Sequence, residues 1–252
     1  METIRKLYGR PAARVARDAR WGRRVRKYPP DFSQSDVDLF EEVRPYTMTS
    51  PERLVALCHA IEYIVGSGIE GDIVECGVWK GGSMMAAAKT LLRLDVTDRM
   101  LHLFDSFQGM SPPAEVDRDY LGFSASDHLT GPDPGDSSIG DRSPLESIRR
   151  ALGSTGYPVD RVRYVEGRVE DTLPARSPDR IALLRLDTDW YESTYHEMAT
   201  LFPRLVPGGV LIIDDYGHWE GARRAVDQYL RENHVRMLLG RIDYTGRIGV
   251  KS

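Results

Sequence analysis

Only two cysteines, Cys58 and Cys76, occur in the 252 residues. One falls in a predicted helix and one at the end of a predicted strand. This excludes a disulfide framework and a metal-knuckle spacing, so both read as reduced core residues. No apolar run approaches the ~20 residues needed to cross a bilayer. The basic N-terminus lacks the apolar centre of a signal peptide. The expectation is a soluble cytoplasmic protein with no membrane partner. Large aromatics are scarce toward the end of the basic N-terminal stretch, where Trp21 and Tyr28 stand alone. That is too few for a base-stacking platform, so nucleic acid is not an expected partner. No internal repeat is visible. The spacing Gly-x-Gly-x-x-Gly is also missing from the main glycine turn, which weakens a dinucleotide reading.

Charge is present but unevenly placed. Residues 1–29 hold ten Lys/Arg against Glu2 and Asp18, leaving −12 on residues 30–252 for a net −4. Residues 1–44 therefore read as a basic, partly helical arm that packs on an acidic body or on a second subunit. Residues 45–252 are long enough for one large α/β domain with a substantial core.

Within that domain the run Asp72-Ile73-Val74-Glu75-Cys76-Gly77-Val78-Trp79-Lys80-Gly81-Gly82-Ser83 is the organising stretch. An apolar, β-branched segment stops at an acid, turns on glycines and enters the small residues Met84-Met85-Ala86-Ala87-Ala88. This predicts a buried strand, a tight turn and a helix N-terminus whose free N–H groups favour an anion or a polar ligand tail. Before it, Thr49-Ser50-Pro51-Glu52 predicts a capped helix start, and Gly66-Ser67-Gly68 its end. After it, strands are expected at residues 100–105, 161–166, 181–187 and 210–215. Helices are expected at about 82–94, 144–153, 192–205 (stopped by Pro207-Gly208-Gly209) and 219–233. The tail around Tyr244-Thr245-Gly246 reads as a terminal antiparallel hairpin. Residues 110–143 are rich in Pro, Gly, Asp and Ser, with little periodicity. A loop of this length in a compact domain points to a substrate lid or to a mobile insertion.

Strands alternating with helices predict a doubly wound, mostly parallel sheet. Ligands of such sheets bind outside the carboxyl ends of the strands. Glu75, Asp105, Asp187 and Asp214-Asp215 all terminate strands and should gather on one rim. An acid after the second strand suits the ribose hydroxyls of a nucleoside cofactor, which gives Asp105 that part. The looser Gly77-x-x-x-Gly81 turn suits a cofactor without pyrophosphate. S-adenosylmethionine fits better than NAD. Asp187 and Asp214 should lie on strands about 5 Å apart, and with Asp215 they repel unless neutralised. A hard divalent cation such as Mg²⁺ would do so and leave sites open for substrate oxygens. It would make a nearby sugar hydroxyl more acidic, with Asp189 spaced to remove the proton. Ion pairs with Arg185, Arg223 or Arg224 are the alternative use of these acids. His128 in the lid and His218 after the Asp pair could touch substrate or simply be solvated. Trp79, Trp190, Tyr191, Tyr216 and Trp219 fall just beyond strand ends, where they could wall a sugar or an apolar aglycone, or pack beneath loops.

Val74-Glu75-Cys76-Gly77-Val78-Trp79-Lys80-Gly81-Gly82-Ser83, Phe104-Asp105-Ser106-Phe107-Gln108-Gly109, Leu184-Arg185-Leu186-Asp187-Thr188-Asp189 and Pro207-Gly208-Gly209 with Ile213-Asp214-Asp215-Tyr216 together resemble the macrocin O-methyltransferase family over about residues 45–230. Residues 1–44 and the lid give no clear match. The resemblance implies a Rossmann-like class I S-adenosylmethionine-dependent methyltransferase fold. It also implies S-adenosylmethionine as donor, Mg²⁺, and a deoxysugar hydroxyl of a glycosylated natural product as acceptor. It assigns Asp187, Asp214 and Asp215 to the metal. It assigns Thr47, Met48, Glu75, Gly77, Ser83, Asp105 and Ser106 to the cofactor. Asp189 matches the position taken as general base in one branch of the family, and a metal-bound Asp takes that part in others. A homodimer or higher homo-oligomer is the expected assembly. Two rivals remain open. One is a nicotinamide-dependent oxidoreductase on the same fold class. The other is a non-catalytic binding protein that uses the basic arm.

Overall fold

A computed structural model describes residues 27–130 and 142–252. The expected helical arm lies, for residues 1–26, outside the described residues, as does the stretch 131–141 of the expected lid. Asp38–Ser252 form one compact unit, which carries the sheet.

The helices are α1 Gln34–Val43, α2 Pro51–Gly66, α3 Gly82–Arg93, α4 Ala125–Thr130, α5 Leu145–Gly153, α6 Val169–Thr172, α7 Tyr191–Leu201 and α8 Glu220–Glu232. The strands are β1 Asp72–Cys76, β2 Leu101–Asp105, β3 Val162–Glu166, β4 Ile181–Leu186, β5 Leu205–Ile213, β6 Gly240–Arg241 and β7 Arg247–Val250. They form one sheet in the order β3-β2-β1-β4-β5-β7-β6. β1 to β5 are parallel, and β7 runs antiparallel to both β5 and β6. The expected doubly wound α/β sheet and its terminal antiparallel strands are both present. The strand order reverses between β1 and β4. Right-handed crossovers therefore send the helices to opposite faces on the two sides of that point and leave a crevice above it.

The central strands are apolar on both faces because helices cover both. Ile73, Val74 and Cys76 of β1 and every residue of β4, including Arg185, are buried. Ser50 caps α2 by accepting the Arg53 N–H, with Pro51 at the first position, as its sequence signature predicts. The fully buried Ala86-Ala87-Ala88 let α3 lie close against its neighbours.

The acidic, polar stretch at residues 31–48 contains α1 and a 3₁₀ turn, Arg44–Tyr46. The expected end of the helix before β5 shifts. Pro207-Gly208-Gly209 does not stop a helix. Helix α7 ends at Leu201, a 3₁₀ turn with Pro203 follows, and β5 has begun by Leu205. The prolines and glycines sit where the register between β4 and β5 slips, with Gly208 at φ +80°. Proline and glycine tolerate such an irregularity, as they tolerate a helix end.

The register fixes the rim. Cys76 pairs with Phe104 and Leu186, and Leu186 pairs with Ile213. The next residues, Gly77, Asp105, Asp187 and Asp214, therefore emerge together. Gly77 has φ +81°, and a Cβ there would lie 1.9 Å from the Asp187 carbonyl oxygen. Gly77→Ala is expected to cost roughly 2–4 kcal/mol, from positive φ and backbone clash together, read as a lowered urea midpoint. A wild-type midpoint would show that the two loops do not need this close approach.

Candidate active site

A cavity of about 770 Å³ opens at this rim, within the size range of small-molecule sites. Gly77, Ser83, Asp105, Ser106, Thr47 and Met48 line one part; Asp187, Asp189, Asp214 and Asp215 line another. Glu75 does not line it. Its side chain is 1% exposed and meets Arg185 instead.

On the glycine-turn side, α3 starts at Gly82 after Gly81, with no side chain capping its N–H groups. Gly82 and Ser83 face the cavity with uncapped backbone. A Cβ on Gly82 would lie 2.6 Å from the Tyr46 carbonyl oxygen, so glycine lets the 46–48 segment close over the helix start. The Asp105 carboxylate accepts N–H bonds from Val78 (2.6 Å), Trp79 (3.1 Å) and Phe107 (2.7 Å). It thus ties the turns after β1 and β2 together before any ligand is considered. Ser106 Oγ donates to the Gly109 carbonyl and accepts from the Gln108 N–H.

On the acidic side one cation dominates. Arg185, the last residue but one of β4 and 2% exposed, donates from Nη1 to Glu75 Oε1 and Asp187 Oδ2, each at 2.6 Å. From Nη2 it donates to Asp214 Oδ1 (2.6 Å) and Thr49 Oγ1 (3.0 Å). Arg53, from the first turn of α2, donates to the other Asp214 oxygen and is held by Asp243 (Nε to Oδ2, 3.1 Å). The ion-pair alternative is therefore realised with Arg185, and with Arg53, which no local sequence signal singled out. Arg223 pairs with Glu220 instead.

One carboxylate oxygen from each of Asp187, Asp214 and Asp215 lies within 4.8 Å of the others. Asp215 Oδ2 is buried and has no hydrogen-bond partner. Glu75, Asp187, Asp189, Asp214 and Asp215 outnumber the two guanidiniums, so the set can be fully ionised only with further positive charge. The donors are hard oxygens, and these features fit a small divalent cation. Burial and then the neighbouring Asp189 and Asp187 charges push Asp215 well above the usual carboxylate range. Burial followed by Asp187 pushes Asp189 up to about 7. Asp189 sits at φ +65° and accepts a 2.8 Å bond from Trp219 Nε1.

Of the aromatics singled out, Trp79, Trp190 and Trp219 line the cavity. Tyr191 instead bonds Gln228, and Tyr216 bonds Asp227. Trp190 donates to the Ser111 carbonyl and packs on Trp219 at 5.0 Å. Within 111–130, Asp117 accepts from Ala114 and Tyr191 N–H, and Asp119 from Leu121 and Phe123 N–H. His128 bonds Asp119 Oδ2 (3.0 Å) rather than facing the cavity, whereas His218 lines it.

Replacing Arg185 by Met would strand the buried acids around it. Removing one partner of a buried ion pair costs about 3–5 kcal/mol, so Arg185→Met should unfold at markedly lower urea. A wild-type midpoint would show that the guanidinium is dispensable. Glu75 supplies a pH test. Burial, outweighing Arg185, raises its pKa from 4.5 to about 8. The folded protein thus holds a proton that the unfolded chain releases near pH 4.5. The associated stability is complete below that pH and is lost as pH rises through about 8. Without divalent cation, Glu75→Gln should flatten the fall in unfolding free energy between these limits. An unaltered slope would show that Glu75 ionises normally.

The Macrocin-O-methyltransferase (TylF) family model matches residues 41–248. The 8-demethyl-8-(2,3-dimethoxy-alpha-L-rhamnosyl)-tetracenomycin-C 4'-O-methyltransferase of Streptomyces olivaceus is 36% identical over 205 residues, 80% of this chain and 74% of that one. The mycinamicin III 3''-O-methyltransferase of Micromonospora griseorubida is 35% identical over 189 residues, 75% of this chain and 71% of the other. The structure of the O-methyltransferase NovP superposes with a TM-score of 0.70 at 31% identity, covering 82% of each chain. The nicotinamide and non-catalytic readings have no counterpart among these relatives. The crevice at the strand-order reversal, the acids on its rim and these likenesses agree: the chain belongs to the macrocin O-methyltransferase family and has the class I S-adenosylmethionine-dependent methyltransferase fold.

Proposed function

We propose that this enzyme transfers a methyl group from S-adenosylmethionine to a deoxysugar hydroxyl of a glycosylated natural product, with Mg²⁺ held by Asp187, Asp214 and Asp215. The observation that carries the reading is the convergence of those carboxylate oxygens within 4.8 Å, in the cavity that also receives the uncapped start of α3. The relatives' names support the acceptor class, since they specify a rhamnosyl tetracenomycin and mycinamicin III.

S-adenosylmethionine supplies a methyl group on a sulfonium; its transfer to the acceptor oxygen leaves S-adenosylhomocysteine and one proton. Mg²⁺, when bound, supplies positive charge that orients the acceptor and lowers its hydroxyl pKa. The chain's own groups do the rest. The N–H groups at the start of α3 attract the donor's carboxylate tail. Asp105, already anchored by backbone N–H groups, presents its remaining lone pairs to the ribose. Thr47 and Met48 cover the donor. Asp189 accepts the proton. Burial and the Asp187 charge raise its pKa to about 7, a bound cation would offset that rise, and Trp219 Nε1 fixes the carboxylate that receives the proton. Trp79, Trp190 and Trp219 exclude water from the reacting groups. Positioning then accounts for most of the acceleration, because methyl transfer needs no covalent help from the protein.

A screen of glycosylated acceptors with S-adenosylmethionine and Mg²⁺ should give turnover that EDTA abolishes and added Mg²⁺ restores. Asp189→Asn should lower kcat by about 100-fold or more. Full activity of Asp187→Ala or Asp215→Ala in EDTA would sink the metal assignment. Stabilisation by NAD and not by S-adenosylhomocysteine in a thermal shift would sink the donor assignment.

A further inference from the structure

We propose that Glu197, a buried carboxyl of α7 that does not line the cavity, is a positioning residue that holds the acceptor loop of the active site in place through Thr188. Its side chain is 0% exposed. Thr188 Oγ1 donates to both its oxygens, at 3.0 and 3.1 Å. Thr188 stands between Asp187 and Asp189, so this one side chain of α7 grips the acceptor loop.

The main chain draws the acceptor loop against the turn that follows β1. Asp187 N–H donates to the Cys76 carbonyl at 2.9 Å, and Gly77 leaves no room for a Cβ beside the Asp187 carbonyl. The acceptor loop also carries a conformational load, because Asp189 is not glycine and yet has φ +65°. Such a residue keeps its place only where its surroundings over-determine it. Around Thr188 the restraints are the Trp190 N–H on its carbonyl (2.7 Å), the Ser193 hydroxyl on the same oxygen (3.3 Å) and Glu197 on its side chain. Only the last holds its side chain. A leucine in place of Glu197 would fill the core without desolvating a carboxyl. What the carboxyl adds is direction: it fixes Thr188, and through it the Asp187 and Asp189 carboxyls that meet Arg185 and Trp219. Burial pushes the Glu197 pKa well above the usual carboxylate range, so Gln is the matched neutral substitute.

The assignment rests on the reaction proposed above, and wild-type turnover in the same assay tests that reaction separately. Glu197→Leu and Thr188→Val should each lower kcat about ten-fold or more, because small misplacements of reacting groups are costly. KM for donor and acceptor should stay within about two-fold. The double variant should be no slower than the slower single variant, and Glu197→Gln should recover most of the rate. Mn²⁺ affinity, followed by electron paramagnetic resonance without substrate, should weaken in Thr188→Val as Asp187 loosens. Normal kcat and normal Mn²⁺ affinity in Thr188→Val would overturn the proposal, even if stability fell. Losses that multiply in the double variant would overturn it as well. If Glu197→Leu fails to fold, Thr188→Val and Glu197→Gln carry the test. If wild type turns over no acceptor, the Mn²⁺ titration still decides.

Discussion

A guanidinium with no access to water holds this active site together. Arg185 lies next to the carboxyl end of the central strand and reaches acids from β1, from beyond β4 and from beyond β5, with Thr49 from the segment before α2. Desolvating an arginine and its partner carboxylates costs several kcal/mol for each ion. A set of apolar residues would make a more stable sheet. The arrangement persists because it fixes charges against one another where strands alone fix only backbone. Glu75, Asp187 and Asp214 take their directions from one rigid fork of donors.

Around that fork the cavity divides into two parts joined by short backbone contacts. The glycine turn, the uncapped start of α3 and Asp105 form one part; Asp187, Asp189 and the Asp214-Asp215 pair form the other. Gly77 resting on the Asp187 carbonyl keeps them adjacent, so a group bound in one part lies beside a group bound in the other. The stretch after β2 closes the side of the cavity. Its acids serve its own backbone, with Asp117 and Asp119 each accepting N–H groups of the loop, and Trp190 and Trp219 provide the floor on which it rests.

Much of this could be read from the chain, and the physical reasons for the misses are specific. Strand ends marked by acids were visible because an acid after an apolar run such as Val210-Leu211-Ile212-Ile213 reads as the end of a buried strand. The same rule hid Arg185. A charge inside such a run reads as an ion-pair candidate, and nothing local says that it will meet three acids from separate strands. Arg53 was harder still, since a basic residue in the first turn of a capped helix looks like ordinary surface. Glu197 sits on a helix whose periodicity is weak, so its burial shows only when β1 and β4 are laid side by side. Glu75 illustrates the converse: its place at a strand end was right, but alternation along β1 turns its side chain toward Arg185 and away from the cavity. Pro207-Gly208-Gly209 carried a true signal of irregularity that fits a slipped strand as well as a helix stop.

The charge balance at the rim bears on the proposed metal. Arg53 and Arg185 already occupy both oxygens of Asp214 and one of Asp187, so the cluster could be taken as satisfied without an ion. It is not. Asp215 has a buried oxygen with no donor, and burial together with its acidic neighbours leaves Asp215 and Asp189 reluctant to ionise. Each arginine serves acids on both sides of it, which leaves neither free to move onto Asp215. Protons can fill the deficit, but a protonated Asp189 cannot accept the proton that the proposed reaction releases. A dication on the Asp187, Asp214 and Asp215 oxygens removes the deficit and so favours an ionised Asp189. In that reading the metal and the base are one device: the ion that acidifies the acceptor also frees the carboxylate that deprotonates it.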